Sequence, residues 1–434
     1  MNMVNNHNGY VKLMNPDWAR SAVIYQLNTR QFTPEGTFRA ASNHLERIKN
    51  LGADIIWLMP VHKIGMKRRK GKLGSPYSVK DYYSLNPALG SLSELRSFIS
   101  KAHSLGLFVI LDWVANHTSW DNKLTESNPS WYLKDQERNK VPPPWTDWED
   151  VAQLDFNNRE LWGYMSNAMC WWVDRAGFDG FRADVAGFLP VKFWEYVREE
   201  LEKIKPVFML AEWESAEIHR NAFDASYAWQ WWYAMRGISK GTAGIEALLK
   251  YYCWNENAFP GECMRMLFIS NHDVNSWEGT MTENFGPALN AAIVLSVISN
   301  GIPLIYNGQE AGDSKRLKFY EKDCIEWKQH QTGDLYSELF SLKKKNPSLW
   351  NGKWGSEMIK TPNSCEDHVM SFIREKGNNK VFAVFNLSGS RQKVRFRGRH
   401  FEGGYMDYFG KKHTSLGKHT ILKLAPWDYR VFIK

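Results

Sequence analysis

No apolar run in this chain approaches the ~20 residues needed to span a bilayer. Its N-terminal stretch, MNMVNNHNGYVKLMNPDWAR, lacks the apolar centre of a secretory leader, so a cytoplasmic location is expected. The five cysteines (Cys170, Cys253, Cys263, Cys324 and Cys365) form no C-x-x-C, and the histidines do not cluster at metal-ligand spacing. Neither a disulfide framework nor a zinc site is indicated. No sequence repeat, low-complexity segment or nucleic-acid motif is present. The net charge of +8 comes from Lys and Arg that read as scattered apart from Lys67 to Lys72. It is taken as a solubility feature, with neither nucleic acid nor membrane expected as a partner.

What is present is a long, ordinary globular composition, 43% hydrophobic and 24% charged over 434 residues. That is enough for a barrel of about 250 residues or more plus an appendage. The 21 tryptophans are the unusual feature. Aromatic faces stack on sugar C–H faces, but most tryptophans in any protein are packing residues.

Strand and helix patterns alternate from Ala22 onward. Strands are expected at 22–26, 53–60, 107–111, within 177–188 with Arg182 and Asp184 at its C-terminal end, at 206–211, weakly at 223–227, at 266–270 and at 302–306. Helices fall between them; one is marked by the capping box of Ser91 and Glu94 and closed by Gly106. Residues 74–87 are too polar for a core element and read as a loop at a mouth. Eight strand–helix units predict a (β/α)8 barrel, whose active site lies at the C-terminal ends of its strands. Regular pattern is lost from 118 to 158, an inserted excursion after the third strand. Beyond 351, alternating apolar residues predict a small antiparallel β domain. The expected division is therefore 1–117 and 159–350 for the barrel, 118–158 for the insertion and 351–434 for the β domain.

Polar residues gather where these strands end: Asp112 and His117, Arg182 and Asp184, Glu212, His272 and Asp273. Residues at i and i+2 of a strand share a side, so Arg182 lies beside Asp184. An isolated R-x-D is more often a structural ion pair. Carboxylates at every one of these strand ends point instead to catalysis, because buried carboxylates are costly unless paired. Two carboxyls without metal-ligand spacing suit glycosidic cleavage, one protonating the leaving oxygen and one attacking. The Arg182 fork is expected to hold Asp184 ionised and low in pKa as nucleophile. Glu212, in an apolar context beside Trp213, is expected to be raised, as a general acid must be.

DWVANH (112–117), GFRADVA (180–186), AE (211–212) and SNHD (270–273) resemble, in order, the four short motifs of the α-amylase family of glycoside hydrolases. GIPLIYNGQE (301–310) and the terminal APWDYRVF extend the resemblance over nearly the whole chain. It implies Asp184 as nucleophile, Glu212 as acid/base, Asp273 as the carboxylate that stabilises the distorted sugar, and Arg182 as the holder of Asp184. His117 and His272 become hydroxyl binders, Asp112 joins the substrate-binding set, and Tyr77 within SPYS resembles the tyrosine that stacks under the sugar at the cleavage point. The excursion becomes the family's domain B.

Two departures matter. Many calcium-dependent members carry a Lys-His pair after the nucleophile and an Asp in the domain-B motif, where this chain has Gly187, Phe188 and Gln153. Asn116 alone is a poor site for an ion that wants six to eight oxygens, so no metal or other cofactor is expected. The resemblance implies a retaining hydrolase of α-1,4 bonds in starch-like α-glucans or maltooligosaccharides. A transglucosylase using the same carboxylates is the alternative, and a catalytically inactive amylase-like binding protein a remote one, since all three acids are in place. With no extra β domain ahead of the barrel, a monomer is expected.

Overall fold

The computed structural model describes residues 15–434. Eight parallel strands close into a barrel in sequence order: β1 Ile24–Leu27, β2 Ile55–Leu58, β3 Phe108–Trp113, β4 Gly180–Ala183, β5 Phe208–Ala211, β6 Ala225–Tyr227, β7 Met264–Phe268 and β8 Ile302–Tyr306. They are buried from end to end except Phe108, which is why they read as apolar runs rather than alternations. Gly180 allows the closest approach in the wall. Its φ is +151° and a Cβ there would lie 1.9 Å from the Phe208 carbonyl oxygen, so only glycine lets β4 lie against β5.

The helix 92–104 has the expected capping box, Ser91 Oγ accepting from Glu94 N and the Glu94 carboxylate from Ser91 N. The Trp-rich stretch after β6 divides into helices Trp229–Lys240 and Glu246–Ala258, the first ended by Gly241 at φ +70°. Most tryptophans are packing residues: Trp57, Trp113, Trp172, Trp194, Trp231 and Trp232 are fully buried.

The structure corrects three readings of the sequence. Residues 74–87 are not simply a loop, because Val79–Leu85 is a strand paired antiparallel with His62–Ile64. Its polar side chains face outward while Val79 and Tyr82 are buried, and the Tyr82 hydroxyl donates to Val114 O (2.9 Å) and His117 O (3.1 Å). Strand β7 begins two residues before the expected 266–270 and leaves Ser270 in the loop that follows. The excursion after β3 does contain regular pairing, His117–Ser119 against Val151–Gln153.

Beyond the barrel, Ile359–Lys360, Val369–Lys376, Asn379–Asn386, Tyr429–Ile433, Gly403–Asp407 and Lys412–Leu416 form one six-stranded sheet in that spatial order. Gln392–Arg395 pairs antiparallel with Ile421–Leu424 beside it. The sequence pattern missed Val369–Lys376, Gly403–Asp407 and Lys412–Leu416 because their apolar residues do not alternate cleanly. Arg374, buried completely, ties this sheet to the barrel by donating to the carbonyls of Ile298 (3.1 Å) and Ser299 (2.7 Å).

Candidate active site

Strand register brings the expected residues together. Asp112 on β3 lies opposite Arg182 on β4, and Ala183 lies opposite Ala211 on β5. The next residues along, Asp184 and Glu212, therefore emerge side by side from adjacent strands about 4.8 Å apart. Arg182, completely buried, is shared: Nη1 donates to Asp112 Oδ1 (2.8 Å) and Asp184 Oδ1 (2.8 Å), and Nη2 pairs with Glu212 Oε2 (3.0 Å). Its Nε donates to the Tyr227 hydroxyl (3.2 Å).

Glu212 also has a backbone donor. Val185 adopts a left-handed conformation, φ 39° and ψ 47°, which is rare for a β-branched residue and costs strain. That turn aims the Val185 N–H at Glu212 Oε2 (2.8 Å). Gly187, two residues on, lies against the Trp213 indole, where a Cβ would meet the ring at 2.0 Å.

Electrostatics follow from burial. Loss of water pushes Asp112 and Glu212 up to about 7, with Arg182 pulling each back and the Asp184 charge adding to the rise. Asp184 is also raised by burial, against the pull of Arg182. The expectation of a low Asp184 pKa is therefore corrected: one guanidinium divided among three carboxylates cannot outweigh desolvation of each. The pair still splits in the expected sense. Interaction between the two carboxyls raises Glu212 and lowers Asp184, which favours the proton on Glu212. Asp273 is pushed well above the usual range by burial and by Glu212. Its side chain is 34% exposed to the cleft, and water there tempers that push.

The histidines are neutral. Burial and Arg182 hold His272 well below its ordinary pKa, and burial takes His117 down to about 4. Gln26, at the end of β1, fixes the His272 tautomer. Its Oε1 accepts from His272 N (3.3 Å), leaving its amide nitrogen to donate to Nδ1 (2.7 Å). His272 Nε2 therefore carries the proton and meets the Tyr77 hydroxyl at 2.6 Å, which donates to Asp112 Oδ2 (3.0 Å). Trp57 Nε1 donates to the same Asp112 oxygen (3.1 Å).

Tyr77, His117, Asp184, Glu212, His272 and Asp273 face one cleft of about 410 Å³. Asp112 and Arg182 lie beneath it, joined to its wall through Tyr77 and Asp184. The excursion supplies Asp147, Trp148 and Asp150 to the same cleft, and Trp277, Phe319 and Tyr320 close another side. Sequence reasoning did not single out Gln26, Tyr227 or Trp148. The available signal for the first two was a polar group ending an otherwise apolar strand.

A calcium ion does not fit at the place where its ligands were sought. Asn116 and Gln153 close on each other as a reciprocal amide pair, Asn116 Nδ2 to Gln153 Oε1 at 3.0 Å and Gln153 Nε2 to Asn116 Oδ1 at 2.9 Å. Both oxygens are occupied by N–H donors and no carboxylate joins them, which is not the donor set of that cation.

The family model described as "Alpha amylase, catalytic domain" matches residues 15–358. The chain belongs to the α-amylase family. Among relatives, it is 26% identical to Alpha-amylase MalA of Haloarcula japonica over 87% of this chain and 57% of that one. It is 25% identical to the Alpha-1,4-glucan:maltose-1-phosphate maltosyltransferase of Picrophilus torridus over 86% of this chain and 62% of that one. It thus spans about three-fifths of the length of those two proteins. The solved structure of the noncanonic maltogenic α-amylase AmyB from Thermotoga neapolitana superposes with a TM-score of 0.87 at 27% identity, covering 95% of this chain and 98% of that one.

Proposed function

We propose that this protein is a retaining glycoside hydrolase that cleaves α-1,4-glucosidic bonds of starch-like α-glucans or maltooligosaccharides. The observation that carries the reading is the single guanidinium shared by Asp184 and Glu212, and the raised Glu212 suits it to hold the proton. Two carboxyls emerging side by side from adjacent strands suit a double displacement, in which nucleophile and acid stand roughly 5 to 5.5 Å apart. In the first step the Asp184 carboxylate attacks the anomeric carbon. Glu212 gives its proton to the departing glycosidic oxygen, and a glycosyl ester on Asp184 results. In the second, Glu212, now a carboxylate, takes a proton from water, whose oxygen displaces Asp184 and restores the α-anomer. Asp273 stabilises positive charge on the sugar between the steps, Tyr77 offers its ring face to that sugar, and neutral His117 and His272 meet its hydroxyls. Residues 118–158 act as domain B by walling the cleft through Trp148 and Asp150. Activity is independent of calcium. Five cysteines with no disulfide among them suit a reducing cytoplasm.

The maltosyltransferase relative supports transfer as a second reading, in which an acceptor sugar replaces water in the second step. Chromatography of products from maltotriose to maltoheptaose, with proton NMR of the first turnover products, tests both. Shorter α-anomers are expected. The β-anomer appearing first would overturn the mechanism, and products longer than the substrate would assign the enzyme to transfer.

A further inference from the structure

The positive charge of this protein is not scattered, as its sequence first suggests, but divided between its parts. Residues 351–434 carry sixteen Lys and Arg against seven Asp and Glu, a net of +9, so residues 1–350 sum to −1 of the total +8. Within the smaller part the charge is concentrated again: residues 391–423 hold nine Lys and Arg against two acids. This segment lies outside residues 15–358, where the chain matches its family.

The strand pair Gln392–Arg395 and Ile421–Leu424 shows how the charge is displayed. Arg391, Lys393, Arg395 and Arg397 recur at the two-residue period of a strand, and all four are exposed while Val394 and Phe396 between them are buried. Lys393 lies directly across from Lys423, also exposed. Like charges opposed on neighbouring strands destabilise a sheet, so this pairing is unfavourable unless an anion lies over it. Among the described residues none of these five cations, nor Lys418, makes an ion pair, whereas Lys360, Lys380, Lys411 and Arg430 nearby each do. Arg395, Arg397, Arg399 and Lys418 also line an open recess of about 700 Å³ at the end of the pair, where Glu402 is the one acid.

We propose that this basic face docks the protein on a membrane surface rich in anionic phospholipid headgroups. Charge complementarity requires a partner with many phosphates, and the face selects among such partners by what else it carries. From residue 359 onward the exposed large apolar side chains are Ile359 and Ile421, with no exposed Trp, Tyr or Phe among the described residues. That removes the stacking platform on which single-stranded nucleic acid and sugar chains rest. The segment contains no helix to enter a major groove. Its cations come from two strands and two turns and spread over an area rather than along a groove, which suits a two-dimensional array of headgroups. Ile421, 44% exposed and in register with Arg395, supplies an aliphatic side chain to sit among them.

The test is co-sedimentation of the full chain with vesicles of phosphatidylcholine alone, and with vesicles containing about 40 mol% phosphatidylglycerol, at salt from about 0.05 to 0.3 M. Binding is expected to the second only, falling as salt rises. The combined variant Lys393→Gln, Arg395→Gln, Arg397→Gln, Lys423→Gln should lose it, because each cation near such a surface contributes roughly fivefold in affinity. Its melting temperature should match or exceed the parent's, since the Lys393–Lys423 repulsion is relieved; a fall would overturn the claim that the face is strained for a partner. Equal binding by parent and variant, or no binding to anionic vesicles at the lowest salt, would overturn the proposal. So would tighter binding to duplex or single-stranded nucleic acid than to the vesicles at about 0.15 M salt.

Discussion

Glu212→Gln should abolish turnover and, above neutral pH, make the protein more stable. Burial places the Glu212 pKa at about 7 in the fold, against about 4.5 in an open chain. A group raised in this way contributes its full stability below about 4.5, where it is protonated in both states, and loses it as pH climbs through 7. That gap is worth roughly 3 kcal/mol at high pH. The Glu212 side chain is 15% exposed, so little of the effect is lost to solvent screening. The amide reproduces the protonated carboxyl: its oxygen can still accept from Arg182 Nη2 and Val185 N, and its nitrogen can donate to Asp184. Unfolding entropy of about 2.1 cal/mol/K per residue converts the gain to roughly 3 °C for a chain of this length. Melting curves of parent and variant from pH 4.5 to 8.5 should nearly coincide at the acid end, diverge between about pH 5 and 7, and stay apart above that. The same group sets the alkaline limb of the parent's kcat/KM near pH 7, because only protonated Glu212 can serve the leaving oxygen. A constant offset at every pH, or a variant less stable than the parent at pH 8, would refute the account of Glu212 as a buried acid.

Asp184→Asn should lower kcat at least about a thousandfold without unfolding the chain, since it removes the attacking charge at constant volume. Turnover within tenfold of the parent would sink its assignment as nucleophile. Incubation with a chelator should leave both melting temperature and activity unchanged, because Asn116 and Gln153 already satisfy each other. A fall of several degrees restored by added calcium would show a cation site elsewhere in the chain.

The barrel was legible in the sequence because its strands are buried along nearly their whole length and so appear as largely apolar runs, several of them with a polar group at or just past the end. Even short β6 could be read from Phe223 to Tyr227, although only Ala225–Tyr227 pairs with its neighbours. The hairpin strand Val79–Leu85 was not legible, because it buries Val79 and Tyr82 while five polar or half-buried positions face outward. The site was legible as a set of residues but not as an electrostatic system. The spacing of Arg182 and Asp184 shows one cation beside one acid. That Asp112 and Glu212 share the same guanidinium depends on the register of β3, β4 and β5, which no single strand contains. Register therefore reverses the expected direction for Asp184 and leaves its role as the proposed nucleophile to the substitution test. The proposed nucleophile and acid would then be distinguished not by a charged against an apolar setting, since both touch Arg182, but by which of them holds the proton. The strained turn at Val185 bears on that choice, since its N–H donates to Glu212 Oε2, the oxygen that also pairs with Arg182, and leaves the Glu212 proton for its other oxygen.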